Sequence, residues 1–141
     1  MKIYDGNSLI AGRLAAKVAK DLIHGEEVAV INANGIVFSG NPAAYVDRLQ
    51  RKRRLTDKRD PEKAEKFPRV PYMLFKKTVR GMLPKKSQRG RDALKKLKVY
   101  NGAPAEIDAS NALRPQDAQK TGLLKSITLG NLCKAFGYKS R

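Results

Sequence analysis

The stretch KIYDGNSLIAGRLAAKVAKDLIHGEEVAVI, residues 2–31, sets the architecture. Residues 2–5 read as a short strand and Gly6-Asn7 as a turn. Ser8 reads as a helix N-cap, because its hydroxyl can accept from a free backbone N–H. Ala11, Leu14, Ala15, Val18, Ala19, Leu22 and Ile23 recur at helical spacing on one side. Arg13, Lys17, Lys20, Asp21 and His24 fall on the other. Gly25 ends this helix, since the residue after a C-cap commonly takes the left-handed backbone that glycine adopts without steric cost. Val28-Ala29-Val30-Ile31 is an unbroken apolar run, the pattern of a strand covered on both faces. Strand, helix and buried strand in succession predict a right-handed βαβ unit.

Beyond it, Asn32-Ala33-Asn34-Gly35 is turn chemistry and Ile36-Val37-Phe38 is extended. Asn41 followed by Pro42 marks an N-cap and first helical residue, opening a helix that runs to Arg54. Its last turn is crowded with cations, which suits the negative end of the helix dipole. Residues 57–71 mix both charge signs with Pro61, Pro68 and Pro71 and read as a long surface excursion. Tyr72, Phe75, Val79 and Met82 form the apolar stripe of a third helix whose other face carries Lys76, Lys77 and Arg80. Residues 81–84 break it and 85–91 read as a basic linker. Ala93, Leu94 and Leu97 mark a fourth helix before a strand at Val99-Tyr100. Residues 103–121 read as irregular. Leu129, Leu132, Cys133 and Phe136 stripe a last helix, capped by Thr128 and stopped by Gly137.

A chain of 141 residues with 41% apolar content fits a single folded domain, 1–141. Its 30 Lys and Arg outnumber 13 Asp and Glu, for a formal charge of +17. That excess is localised: residues 1–47 carry net −1, residues 99–141 net +3, and residues 48–98 net +15 from 20 basic and 5 acidic side chains. Such density repels itself and calls for a polyanionic partner; the phosphate backbone of a nucleic acid, binding by counterion release, fits best. A solvated basic face, or a localisation signal at Arg51-Lys52-Arg53-Arg54, is the plainer alternative. Anionic membrane ranks below nucleic acid because the basic runs lack an interfacial apolar face. The candidate RNA-binding residues are Arg48, Arg51, Lys52, Arg53, Arg54, Lys76, Lys77, Arg80, Gly81, Pro84, Lys85, Lys86, Arg89, Gly90, Arg91 and Lys95. No apolar run approaches the roughly 20 residues of a membrane span, and residues 1–5 lack a signal-peptide pattern, so a soluble intracellular protein is expected.

Catalytic readings find little support. Cys133 is the only cysteine and His24 the only histidine, which excludes an internal disulfide and a Cys/His zinc site built from this chain. Residues 35–40 have phosphate-loop glycine spacing, but Asn41-Pro42 stands where Lys and Ser or Thr are needed. Asp57, Asp60, Glu62 and Glu65 could converge on magnesium, yet they alternate with Lys58, Arg59, Lys63 and Lys66 and read as a self-paired loop. Cys133 reads as a buried structural thiol. Phe67 lies outside any stripe, and both core packing and stacking on an exposed base stay open for it. No enzyme, cofactor, metal or small-molecule substrate is expected.

Gly81-Met82-Leu83-Pro84-Lys85, then Arg89-Gly90-Arg91, Ala93-Leu94 and Leu97-Lys98-Val99-Tyr100-Asn101-Gly102, resemble the signature of the ribosomal protein L13 (uL13) family of the large subunit. The resemblance extends to Ala11-Gly12-Arg13-Leu14-Ala15, Val30-Ile31-Asn32-Ala33 and Ser39-Gly40-Asn41, in a form similar to the archaeal and eukaryotic branch. It implies a three-layer α/β fold with a central, mainly parallel four-stranded sheet flanked by helices, plus a basic helical and loop extension. It also implies a cytoplasmic, ribosome-bound structural role on large-subunit rRNA from early in assembly, beside neighbouring ribosomal proteins such as L3 (uL3). The family motif maps onto Gly81, Pro84, Lys85, Arg89, Gly90 and Arg91; the other candidates rest on charge alone. In this reading Gly90 allows close backbone approach and the flanking arginines fork onto phosphates, so replacing Arg89 and Arg91 weakens assembly more than folding. A free regulatory RNA binder that represses a message would use the same surface.

Overall fold

The computed structural model describes residues 1–56, 58–63, 67–105, 107 and 109–139. Strand β1 (Lys2–Asp5), helix α1 (Ala11–Ile23) and strand β2 (Val28–Ile31) form a βαβ unit, with β1 and β2 parallel and Lys2 opposite Val28. All four β2 residues are buried, so both faces of the strand are covered. Ala11, Leu14, Ala15, Val18, Ala19 and Leu22 are the buried face of α1. Gly25 has φ +93° and donates its N–H to the Leu22 carbonyl, closing the helix as anticipated.

Ser8 does not cap α1. The cap position is Ile10, and Ser8 itself takes a left-handed backbone with φ 59°. Residues 8–10 are used for pairing instead. Ser8 N–H donates to the Gly35 carbonyl and Val37 N–H to the Leu9 carbonyl, while Ile10 N–H donates to the Ala118 carbonyl. A segment with neighbours on both sides has no free N–H groups for a hydroxyl to cap.

After β2, Asn32 turns in a left-handed conformation (φ 56°) and a 3-10 turn at Ala33–Gly35 redirects the chain into strand β3 (Val37–Ser39). Helix α2 (Pro42–Arg54) starts where predicted, with the Asn41 side chain accepting from Ala43 N–H at 3.2 Å. No α2 residue is fully buried; Tyr45, Val46 and Leu49 rest half-buried on the core. Helix α3 (Pro71–Met82) buries Pro71, Leu74, Phe75 and Val79. The stripe is thus displaced from the expected one. Tyr72 lies at its edge, and Met82 is exposed because the helix ends there and Leu83 takes the inward place. Helix α4 (Gln88–Lys95) opens on Ser87, whose hydroxyl accepts from Gly90 N–H at 3.3 Å. Residues 88–91 are therefore the first turn of a helix rather than a linker. Leu97, assigned above to that helix, begins strand β4 (Leu97–Val99), parallel to β2. Strand β5 (Ser126–Thr128) is followed directly by helix α5 (Leu129–Ala135), capped by Thr128 with Gly137 beyond it at φ 82°, as the sequence indicates. Its stripe of Leu129, Leu132, Cys133 and Phe136 is buried.

The expected four-stranded sheet is replaced by two sheets. One is parallel with order β1-β2-β4, and the other pairs β3 with β5 antiparallel. A fourth parallel strand begins beside β1 and stops after one residue. Leu113 N–H donates to the Ile3 carbonyl, and Asp5 N–H donates to the Leu113 carbonyl. Two residues on, the next ladder donor would be Pro115, which has no N–H, and on the other side the chain is in the 3-10 turn Ala109–Asn111. Besides the backbone bonds at Leu113 and Ala118, side-chain chemistry keeps residues 113–120 in place. Asp5, only 4% exposed, accepts from Asn7 N–H (3.1 Å), Asn32 Nδ2 (3.0 Å) and Arg114 Nε (2.8 Å). Lys17 pairs with Asp117 at 2.9 Å, and Ala118 is fully buried.

Candidate nucleic-acid interface

Three elements position the basic side chains. Helix α3 presents its cations on the side away from Phe75 and Val79, the turn at 83–87 carries Lys85 and Lys86, and α4 carries Arg91 and Leu94. Between them lies an open groove of about 690 Å3, lined by Pro68, Met73, Lys76, Lys77, Arg80, Gly81, Lys85 and Leu94. A smaller hollow of about 260 Å3 continues it, lined by Arg80, Leu83, Lys85, Gly90, Arg91 and Leu94. Arg80, Lys85 and Leu94 line both, so the two are one feature. Among the described residues no carboxylate lines either part.

Of the predicted residues, Lys76, Lys77, Arg80, Gly81, Lys85, Gly90 and Arg91 converge on this groove. Lys76 Nζ also donates to the Leu97 carbonyl at 3.2 Å, and Lys77 Nζ stands 4.0 Å from the centre of the Phe67 ring. Arg91 donates to Gln88 Oε1 at 2.8 Å, which holds its guanidinium along α4. Lys86 is exposed on the turn beside them.

A second cluster forms at the end of α2. Gln50, Arg53, Arg54 and Arg69 surround a hollow of about 320 Å3 with Ala135 and Phe136 at the end of α5. Arg69 was not among the predicted residues. Its only signal in the sequence is its charge, inside a segment whose path periodicity does not determine. Arg48 and Arg51 lie on exposed α2 surface, Arg51 paired with Asp47 at 2.7 Å. Four cations stand in the last α2 turn, at the carbonyl end of the helix, a favourable placement at low ionic strength. Phe67 joins the two clusters. It is half-buried on the core, with Lys77 over its ring and Lys52 Nζ at 5.9 Å, so the ring packs and holds lysines by cation–π attraction.

Other candidates serve the fold. Arg89 Nη2 donates to the Ile23 carbonyl at 2.9 Å, and Lys96 Nζ to the Gly25 carbonyl at 2.8 Å, so both satisfy the C-terminal end of α1. Lys95 pairs with Asp92 at 3.3 Å. Hydrogen bonds from Gln88, and then from Lys95, hold the Asp92 carboxyl below its ordinary range. Gly90 is buried, and its close approach is to its own chain: a Cβ there would stand 2.1 Å from the Pro84 carbonyl oxygen. Pro84 is thus the partner of Gly90. Gly81, by contrast, has open space where a Cβ would be.

Among the described residues catalytic chemistry finds no constellation. Cys133 is buried, and loss of hydration pushes its thiol up to about 12. Among the described residues no group of three His, Cys, Asp or Glu side chains could hold a metal, and no helix is long and apolar enough to cross a membrane. Asp57 and Glu65, two of the four carboxylates weighed above, lie outside the described residues. In the near-miss phosphate loop, Gly35 is pressed against Asn7, where a Cβ would meet Oδ1 at 2.5 Å.

Comparison with known proteins agrees with the signature at 81–102. Residues 1–106 match the family model described as ribosomal protein L13. The large ribosomal subunit protein uL13 of Methanosphaera stadtmanae is 40% identical over 138 residues, covering 97% of each chain. Its counterpart in Methanococcoides burtonii is 40% identical over 141 residues, covering 99% of each. That of Methanocaldococcus jannaschii is 36% identical over 140 residues, again covering 99% of each. With a matched family model over three quarters of its length and archaeal relatives aligned almost end to end, this chain belongs to the ribosomal protein L13 (uL13) family, which is non-enzymatic.

Proposed function

We propose that this chain is a structural constituent of the large ribosomal subunit in the cytoplasm, working as a single domain over residues 1–141 and binding large-subunit rRNA through residues 48–98. The observation that carries the rRNA reading is the convergence of Lys76, Lys77, Arg80, Lys85 and Arg91 on one groove. Arg53, Arg54 and Arg69 supply a second footing. Each cation set against a phosphate releases condensed counterions, and arginine adds a two-pronged hydrogen bond that fixes orientation. The deep major groove of A-form RNA is closed to side chains, so recognition runs through backbone shape and through nucleotides outside regular helices. Binding early in assembly follows from the charge: with +17 on 141 residues, the chain gains most from a bare polyanion not yet neutralised by other proteins. Neighbouring ribosomal proteins, uL3 among them, then meet the surfaces that rRNA leaves uncovered.

The test is density-gradient sedimentation of cell lysate, following this protein at moderate and high salt with and without RNase. Migration with the large subunit, survival of the salt wash and release by RNase are expected. A protein that stays at the top of the gradient under every condition overturns the ribosomal role and favours a free RNA regulator.

A further inference from the structure

The groove between α3 and α4 is not uniformly polar, and its division is informative. Met73, 46% exposed on α3, faces into it together with Pro68 and Leu94, while Arg80 and Lys85 stand where its two parts meet. A phosphate or ribose gains nothing from an apolar floor, and laying a polar backbone on one costs desolvation. A convex duplex surface cannot enter the concavity either. A flat apolar face with a negative group attached fits both demands. The geometry points to a site for one unpaired nucleotide: its base lies against Met73, Leu94 and Pro68, and its flanking phosphates are held by Arg80 and Lys85. The volume of about 690 Å3 falls within the roughly 300–1,000 Å3 of sites that enclose small ligands. This site rests on the RNA-binding reading and narrows it from a polyanion to an extruded or bulged base. The α2 hollow differs. It is smaller and lined mainly by Gln50, Arg53, Arg54 and Arg69, with Ala135 and Phe136, so it serves chiefly as a phosphate footing.

Met73, Leu94 and Pro68 contact the base by its face, a contact that does not depend on which base it is, so a generic probe suffices. The full chain is titrated with a fully paired RNA hairpin and with the same hairpin carrying one bulged 2-aminopurine. Tighter binding of the bulged hairpin is expected, by about fivefold, the lower end of what stacking contributes. A change in 2-aminopurine emission accompanies it as the base leaves water. Two variants then probe the floor. Met73→Gln keeps the length of the side chain and removes its apolar end. Gly81→Leu fills the groove, at a position where a Cβ meets nothing within 4 Å, and keeps every cation. Both are expected to bring the preference ratio to near one, with thermal unfolding showing each folded. Equal, salt-sensitive binding of both hairpins by the unaltered chain overturns the base site and leaves the RNA reading standing. Failure to bind either hairpin at low salt overturns the RNA reading itself. Met73-dependent binding of an acidic peptide, with no bulge preference, assigns the groove to a protein and overturns the proposal.

Discussion

Replacing Gly90 by alanine separates a glycine that shapes the protein from one that touches its partner. The added methyl would stand 2.1 Å from the Pro84 carbonyl oxygen, 2.8 Å from its carbonyl carbon and 3.0 Å from its Cγ. The first distance is 1.3 Å short of the 3.4 Å at which ordinary contact begins. Neither side can yield cheaply. The Ser87 hydroxyl donates to the same Pro84 carbonyl at 3.3 Å while accepting from Gly90 N–H at 3.3 Å, so the turn and the first residues of α4 are tied together. Overpacking of this kind costs about 1–3 kcal/mol, and loss of the Ser87 cap adds about 1 kcal/mol. Better helix propensity returns about 1 kcal/mol, leaving a net loss of about 1–3 kcal/mol. For a chain of this size that lowers Tm by roughly 3–12 °C. The assay is thermal unfolding followed by circular dichroism without RNA. Gly81→Ala is the control, expected to hold or slightly raise Tm because its Cβ enters open space. An unchanged Tm for Gly90→Ala combined with lost RNA affinity would refute the reasoning, since Gly90 would then face the partner rather than Pro84.

Three further outcomes are expected. Burial alone would raise the Asp5 carboxyl, but hydrogen bonds from Asn32, the Asn7 backbone and Arg114 outweigh it and hold the group below its ordinary value. A lowered carboxyl stabilises the fold above its unfolded value of about 3.9 and stops doing so as pH falls through the folded value. Arg114→Ala should therefore cost about 1–2 kcal/mol near neutral pH, a cost that shrinks below about pH 4, as denaturant titrations at several pH values would show. The buried Cys133 thiol should react with an alkylating reagent at pH 8 on the order of a thousandfold more slowly in the folded chain than in denaturant; equal rates would mean that it is accessible. Arg89→Ala should lose about 1 kcal/mol of stability through the Ile23 carbonyl, whereas Arg91→Ala should leave Tm unchanged and weaken RNA binding. Paired measurements of Tm and affinity check this division of a motif whose two arginines look alike in sequence.

Legibility along the chain followed the range of the forces involved. Both ends of α2 were readable because Asn41-Pro42 and the Arg-rich last turn act within one helical turn. The α1 and α5 stripes were readable because burial imposes a period of 3.6 on one helix face. Ser8 misled because capping chemistry and strand-like pairing compete for the same backbone groups, and distant residues Gly35 and Ala118 decided the contest. Strand β5 was missed because three half-buried residues carry no periodicity of their own and gain a partner only when β3 is brought beside them.

The candidate interface divides the same way. Composition alone located the excess charge in residues 48–98, because net charge adds up regardless of conformation. Residue order alone also established the opening βαβ unit, since its apolar spacing is local. Which cations share a groove was beyond both. Lys76, Arg80, Lys85 and Arg91 converge because Gly90 lets α4 pack against Pro84, while Arg89, two residues from Arg91, is turned toward the end of α1. The direction of a surface side chain depends on the helix phase and on the neighbour it meets, and both are properties of the packed chain rather than of any segment read by itself.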